Sequence, residues 1–204
     1  MPTVIVSGMA RCGTSLTMQM LHACGLRCAG DPPAFEPPES NPLSGSLTAE
    51  WIGQFDAIKV IDPHRSVFPK VSALVLWLDR DPGEQAKSQL KLISAMMPGL
   101  PIENGAARRM RKSLLADRPT ALRSFLGMPV QFLQFEEAIR DPAKFTWRVA
   151  RFLYPHFRID PARAAACVRS RERGSLCQRG LDMEIMLIEE YHSRQEGQPM
   201  KAPA

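Results

Sequence analysis

Thr3-Val-Ile-Val-Ser7, Gly8-Met-Ala-Arg-Cys-Gly13 and Thr14-Ser15 are the stretch that decides the fold. The first five residues are apolar or β-branched without alternation, as in a strand buried on both faces of a parallel sheet. Gly8 and Gly13 bound a turn. From Thr14 to Cys24 the residues Leu16, Met20, Leu21 and Cys24 fall on one stripe, which predicts a helix with Gly25 as its stop. Strand, glycine-bounded loop and helix in that order are the layout of a phosphate-binding loop. Its glycines let the backbone wrap an anion, and successive N–H groups at the helix start point positive charge at it.

One feature of the loop restricts its chemistry. A nucleotide triphosphatase carries Lys where this chain has Thr14, so that the amine reaches the outer phosphates. Here the cation is Arg11, three places earlier. Asp79 ends an apolar run, where a magnesium-binding Asp would stand, but Arg80 follows at once. Both departures argue against ATP hydrolysis.

Working outward, apolar runs predict further strands over 57–61, 73–78 and 130–135. Helical patterns cover 47–54, 82–96, 106–116 with an extension toward 125, 142–153, 161–168 and 181–192. The segment 30–45 is a proline-rich loop, 97–101 is a break, and 196–204 is a flexible tail. Strands that alternate with helices imply an α/β, P-loop NTPase-like three-layer fold, with a central, mostly parallel sheet of four to five strands flanked by helices. Ligands of such sheets bind beyond the carboxyl ends of the strands, here after Ser7, Ile61, Leu78 and Phe135. Residues 1–195 are expected to form a single domain, with 96–127 as a helical insertion over the site.

Composition narrows the class. The 204 residues are 45% hydrophobic and 23% charged, which excludes wholesale disorder and fibrous structure. Prolines number 18, well above the roughly 5% of average usage, so short elements joined by stiff loops are expected. The net charge of +5 is concentrated in two clusters. One holds Arg108, Arg109, Arg111, Lys112, Arg118 and Arg123; the other holds Arg163, Arg169, Arg171, Arg173 and Arg179. Such local clusters suit a compact anion better than DNA, and they lack the interleaved aromatics of a nucleic-acid surface. Cys12, Cys24, Cys28, Cys167 and Cys177 are odd in number and lack zinc-ribbon spacing, so reduced thiols in a cytoplasmic protein are expected. The start has no basic n-region, and no apolar run approaches membrane-spanning length, so neither a leader nor a membrane partner is expected.

The loop Ala10-Arg11-Cys12-Gly13-Thr14-Ser15 resembles the 5′-phosphosulfate loop of sulfotransferases that use 3′-phosphoadenosine 5′-phosphosulfate (PAPS), which reads Pro-Lys/Arg-Ser-Gly-Thr-Ser/Thr; Ala and Cys replace Pro and Ser. Arg80, Pro82 and Ser88, after the third strand, are similar to that family's 3′-phosphate motif. Phe35-Glu36, Lys59-Val60 with Pro63, and Phe135-Glu136-Glu137 with Asp141-Pro142 extend the likeness over about residues 3–153.

The resemblance implies transfer of a sulfuryl group from PAPS to a hydroxyl or amine of a small-molecule or glycan acceptor, without a metal. It implies that Gly8, Arg11, Cys12, Gly13, Thr14, Ser15, Arg80 and Ser88 hold the nucleotide. Arg173 is a looser candidate for the family's C-terminal Arg-Lys-Gly contact. Arg11 and Lys59 would stabilise the leaving charge. Many members place a His two residues after the strand lysine, where this chain has Ile61. Asp62 and Glu36 are therefore the expected bases, with His64 nearby. A nucleotide or small-molecule kinase and a non-catalytic nucleotide-binding module are the alternatives.

Overall fold

The computed structural model describes residues 1–41, 45–97 and 99–168. Four strands, β1 (Thr3–Gly8), β2 (Ala57–Ile61), β3 (Ala73–Asp79) and β4 (Val130–Gln134), form one sheet in the order β2-β1-β3-β4. All three pairings are parallel. The register sets Gly8 beside both Ile61 and Leu78, so the central strands end together. What leaves the three tips must share one space.

Alternate residues of the strands feed two core layers, as the two-residue period of a strand requires. Val4, Val6, Leu74, Leu76 and Leu78 face a layer that includes Met18 and Leu21 of α1 (Thr14–Ala23) and Phe145, Val149 and Leu153 of α6 (Pro142–Leu153). Ile5, Val75, Trp77, Ile58 and Val60 face the other, which includes Ile52 of α2 (Ala49–Ile52), Ala86 of α3 (Pro82–Met96) and Ala121 of α4 (Ala106–Arg123). The three-layer α/β expectation is met.

Several of the prolines have a plain structural use. Asp81-Pro82, Asp141-Pro142 and Asp160-Pro161 open α3, α6 and α7 (Pro161–Ala165). Each Asp side chain accepts N–H bonds from the first turn, and each Pro stands where a missing N–H costs nothing.

Three expectations are corrected. The fourth strand stops at Gln134, and Phe135 opens a short helix, α5 (Phe135–Arg140). Glu136 and Glu137 suit a helix N-terminus, and the Phe135 ring turns inward to the β1–α1 loop. Second, α7 ends at Ala165 rather than 168. Third, the 96–127 segment is not a cover throughout. Leu114, Ala121 and Phe125 are buried in the core, and Phe125 packs edge-on against Trp77. Its earlier part, around Arg108, Arg109, Arg111 and Lys112, is exposed.

The expected helix over 181–192, the tail and Arg173 lie outside the described residues. Among the described residues, no helix is long and apolar enough to cross a membrane.

Candidate active site

The β1–α1 loop is held by side chains from three directions. From α3, the buried Gln85 donates from Nε2 to the carbonyls of Met9 (3.0 Å) and Ala10 (2.7 Å). From the tip of β3, Arg80 donates to the Arg11 carbonyl at 3.0 Å. From the tip of β2, the Asp62 carboxylate accepts the Ala10 N–H at 3.0 Å, while its own N–H bonds the Gly8 carbonyl at 3.1 Å. With the Gly8, Met9, Ala10 and Arg11 carbonyls already bound, the loop has fewer free lone pairs to set against an anion.

Two glycines are required by space. A Cβ on Gly8 would stand 2.4 Å from Cys12 Sγ and 2.5 Å from the Leu78 carbonyl. Gly13 has φ +98°, and a Cβ there would meet the Phe135 ring at 2.3 Å. The same ring lies under the Arg80 guanidinium, 4.9 Å from its centroid. Arg11 also lies in the left-handed region, at φ 69°, a conformation that a non-glycine residue holds only when neighbours enforce it. Its side chain reaches Ser88 of α3, with Nε donating to Oγ at 3.2 Å. Arg11, Arg80 and Ser88, drawn from two separate motifs, thus make one basic group.

Lys59 is the unusual cation. It is 1% exposed and bonds Ser15 Oγ (2.9 Å), the Ala34 carbonyl (2.5 Å) and Glu36 Oε1 (2.5 Å). Burial pushes its pKa down from the ordinary lysine value, and Glu36 resists that shift by favouring the charged amine. Glu36 itself is half-exposed, so a carboxylate fixed by a buried amine faces the tip of the sheet. Phe35, fully buried and at φ 55°, anchors the chain immediately before Glu36.

Cys12 is fully buried, and desolvation pushes its thiol up to about 12. It is packing under the loop, not a nucleophile. His64 follows Asp62 in a 3-10 turn, with Nδ1 buried and unpartnered. Asp79 is fully engaged: Arg118 binds both its oxygens, and Trp77 Nε1 donates to one at 2.9 Å.

The candidates Gly8, Arg11, Cys12, Gly13, Thr14, Ser15, Glu36, Lys59, Asp62, Arg80 and Ser88 therefore gather at the tips of β1, β2 and β3. Gln85 and the Phe135 ring are additional parts of this loop's surroundings to which the sequence assigns no role. Gln85 lies three residues before Ser88, on the same helix face, which was the signal available for it.

The chain aligns with a sulfotransferase from Alicyclobacillus acidocaldarius at 18% identity, over 96% of this chain and 94% of that one, with a TM-score of 0.49. It aligns with a mouse sulfotransferase in complex with PAP at 11% identity, over 96% and 84%, with a TM-score of 0.50. The fold is that of the sulfotransferases. A retinol dehydratase in complex with androsterone and inactive cofactor PAP matches over 98% and 82%, at 12% identity and a TM-score of 0.47. No protein-family model and no curated protein matches the chain. At these identities the sulfotransferase fold is what is shared, and the chemistry rests on this chain's own residues.

Proposed function

We propose that this protein is a PAPS-dependent sulfotransferase acting on a hydroxyl or amine of a small-molecule or glycan acceptor. The observation that carries the reading is the bridge made by Arg11. Its side chain binds Ser88 and its carbonyl binds Arg80, so the two phosphate motifs are one site. The residues fit a nucleotide with two separated phosphate groups: a cradle closed to Cβ atoms at Gly8 and Gly13, with an Arg–Ser pair beside it.

In this reading PAPS supplies the sulfuryl group, and the protein positions it and stabilises charge. The N–H groups of Gly13 and Thr14, at the start of α1, face the 5′-phosphate. Lys59 donates to Ser15 Oγ and has no lone pair to offer in return, so the Ser15 proton is directed elsewhere, toward the cradle. Arg11 balances the charge that grows on the leaving oxygen. Arg80 and Ser88 hold the 3′-phosphate, with Arg173 as a further proposed contact. Glu36, fixed by Lys59, takes the acceptor proton. Residues 1–195 are read as one domain, and the cysteines suit a reducing, cytoplasmic setting.

The kinase alternative is disfavoured by Asp79. A magnesium-binding carboxylate is not held bidentately by Arg118 and again by Trp77. The test is incubation with PAPS and a panel of phenols, alcohols, amines and glycans, following release of 3′-phosphoadenosine 5′-phosphate (PAP). Acceptor-dependent release of PAP is the expected result. Binding of PAP without transfer to any acceptor would instead leave the non-catalytic module.

A further inference from the structure

We propose that Gln85 and Asp62 are positioning residues, a clamp that grips the Ala10 peptide from both ends and holds the β1–α1 loop in its anion-binding shape. The inference rests on the proposed nucleotide site for its consequence, but on hydrogen bonds alone for its structure.

Ala10 is held on both of its backbone groups by side chains from different elements. Asp62 Oδ1 accepts its N–H at 3.0 Å, and Gln85 Nε2 donates to its carbonyl at 2.7 Å. The second proton of the same amide serves the Met9 carbonyl at 3.0 Å. Gln85 is 4% exposed, so water is no ready substitute for these bonds. Asp62 adopts a left-handed backbone, φ 48° and ψ 54°, which makes its N–H and its carboxylate available to the loop together.

The grip acts on the residue just before Arg11, whose own left-handed backbone requires support. Gln85 also keeps two carbonyl oxygens of the loop bonded to α3. Were either to swing inward, its lone pairs would oppose a phosphate.

This assigns Asp62 a role other than the base, and the two roles separate in experiment. Asp62→Asn keeps an oxygen acceptor for the Ala10 N–H, whereas Asp62→Ala removes it. A positioning role predicts that Asp62→Asn keeps PAP affinity within about threefold of wild type, whereas Asp62→Ala loses about tenfold or more, the scale of a part-buried donor left unpaired. A catalytic base predicts that both variants lose turnover while keeping PAP affinity.

Gln85→Glu gives the second arm. A charged carboxylate would face two carbonyl oxygens and break the grip. Its neutral acid would still donate one bond, and burial raises its pKa. PAP affinity should fall about tenfold near pH 8 and recover to within about threefold of wild type near pH 5.5. Arg11, Asp62 and Arg80 surround the loop in both proteins, so the wild-type pH profile is the reference.

Amide hydrogen exchange reads the clamp without any nucleotide. The Ala10 N–H should be protected in the wild type and lose protection by about tenfold or more in Asp62→Ala, while Ile5 in β1 is unchanged. Unchanged Ala10 exchange overturns the clamp. Lost protection with unaltered PAP affinity overturns its positioning role. If the wild type ignores PAP, the sulfotransferase reading fails, and the exchange result decides the clamp alone.

Discussion

The tips of β2 and β3 flank the same loop and each carries one acid and one base, yet they are wired oppositely. At the β3 tip, Asp79 is saturated by Arg118 and Trp77, while Arg80 spans the Arg11 carbonyl and the Phe135 ring. At the β2 tip, Asp62 serves loop backbone, while Lys59 is buried and tied to Ser15 and to half-exposed Glu36. The first tip is a closed ion pair plus a cation set against the loop. The second keeps a carboxylate at the surface of the sheet's end. In the proposed function the β3 side holds the 3′-phosphate and the β2 side carries proton transfer.

The largest expected effect breaks the β2 tip. Lys59→Met strips Ser15 and Glu36 of their shared partner, and transfer from PAPS should fall by about 10²–10³-fold in kcat, the scale of losing one preorganised charge-stabilising donor. A smaller loss, confined to KM, would move Lys59 out of the chemistry.

Arg80→Ala tests the other tip. Loss of a charge-assisted contact, worth about 1.5–3 kcal/mol, predicts a PAP dissociation constant raised by roughly 10–100-fold in a calorimetric titration. Arg118→Ala should sharpen the contrast. Its pair with Asp79 is partly exposed, so the cost is about 1 kcal/mol, read as a fall of about 2–4 °C in Tm, with PAP affinity unchanged within about twofold. A large drop in PAP affinity would join Asp79 and Arg118 to the site.

The smallest effect concerns Cys12. Its folded pKa, about 12, lies above the ordinary 9.0, so the native state keeps a proton that the unfolded chain loses. Its contribution is complete below pH 9 and is lost as pH rises from there toward 12. Cys28, also raised to about 12, acts in the same direction, while Lys59, shifted down, opposes both. A comparison of wild type with Cys12→Ala isolates the cysteine: the stability gap should narrow between pH 8 and pH 10 in denaturant titrations. A constant gap would contradict the burial-raised thiol.

Much of this was legible in the sequence, for physical reasons. The β-branched run at 3–7 and the spacing of Gly8 and Gly13 are local signals, and strand, loop and helix followed from them. Arg80 stands just before α3 and Ser88 lies on that helix, so their spacing showed in the chain. Gln85 was hidden because it sits between Glu84 and Lys87 and looks like helix surface; only the packing of α3 on the loop buries it. Asp62-Pro63 has the local signature of a turn, which it is, but the bond to Ala10 spans 52 residues. Phe135 looked like the end of a strand because nothing local says that its ring packs on Gly13.

The most direct test is one titration, PAP beside magnesium-ATP, with wild type and Arg80→Ala in parallel. Tight PAP binding that weakens in the variant, with magnesium-ATP bound weakly, is the predicted result. Preference for magnesium-ATP, or no binding of either nucleotide, would contradict the assignment of this loop and its flanking tips to a sulfotransferase site.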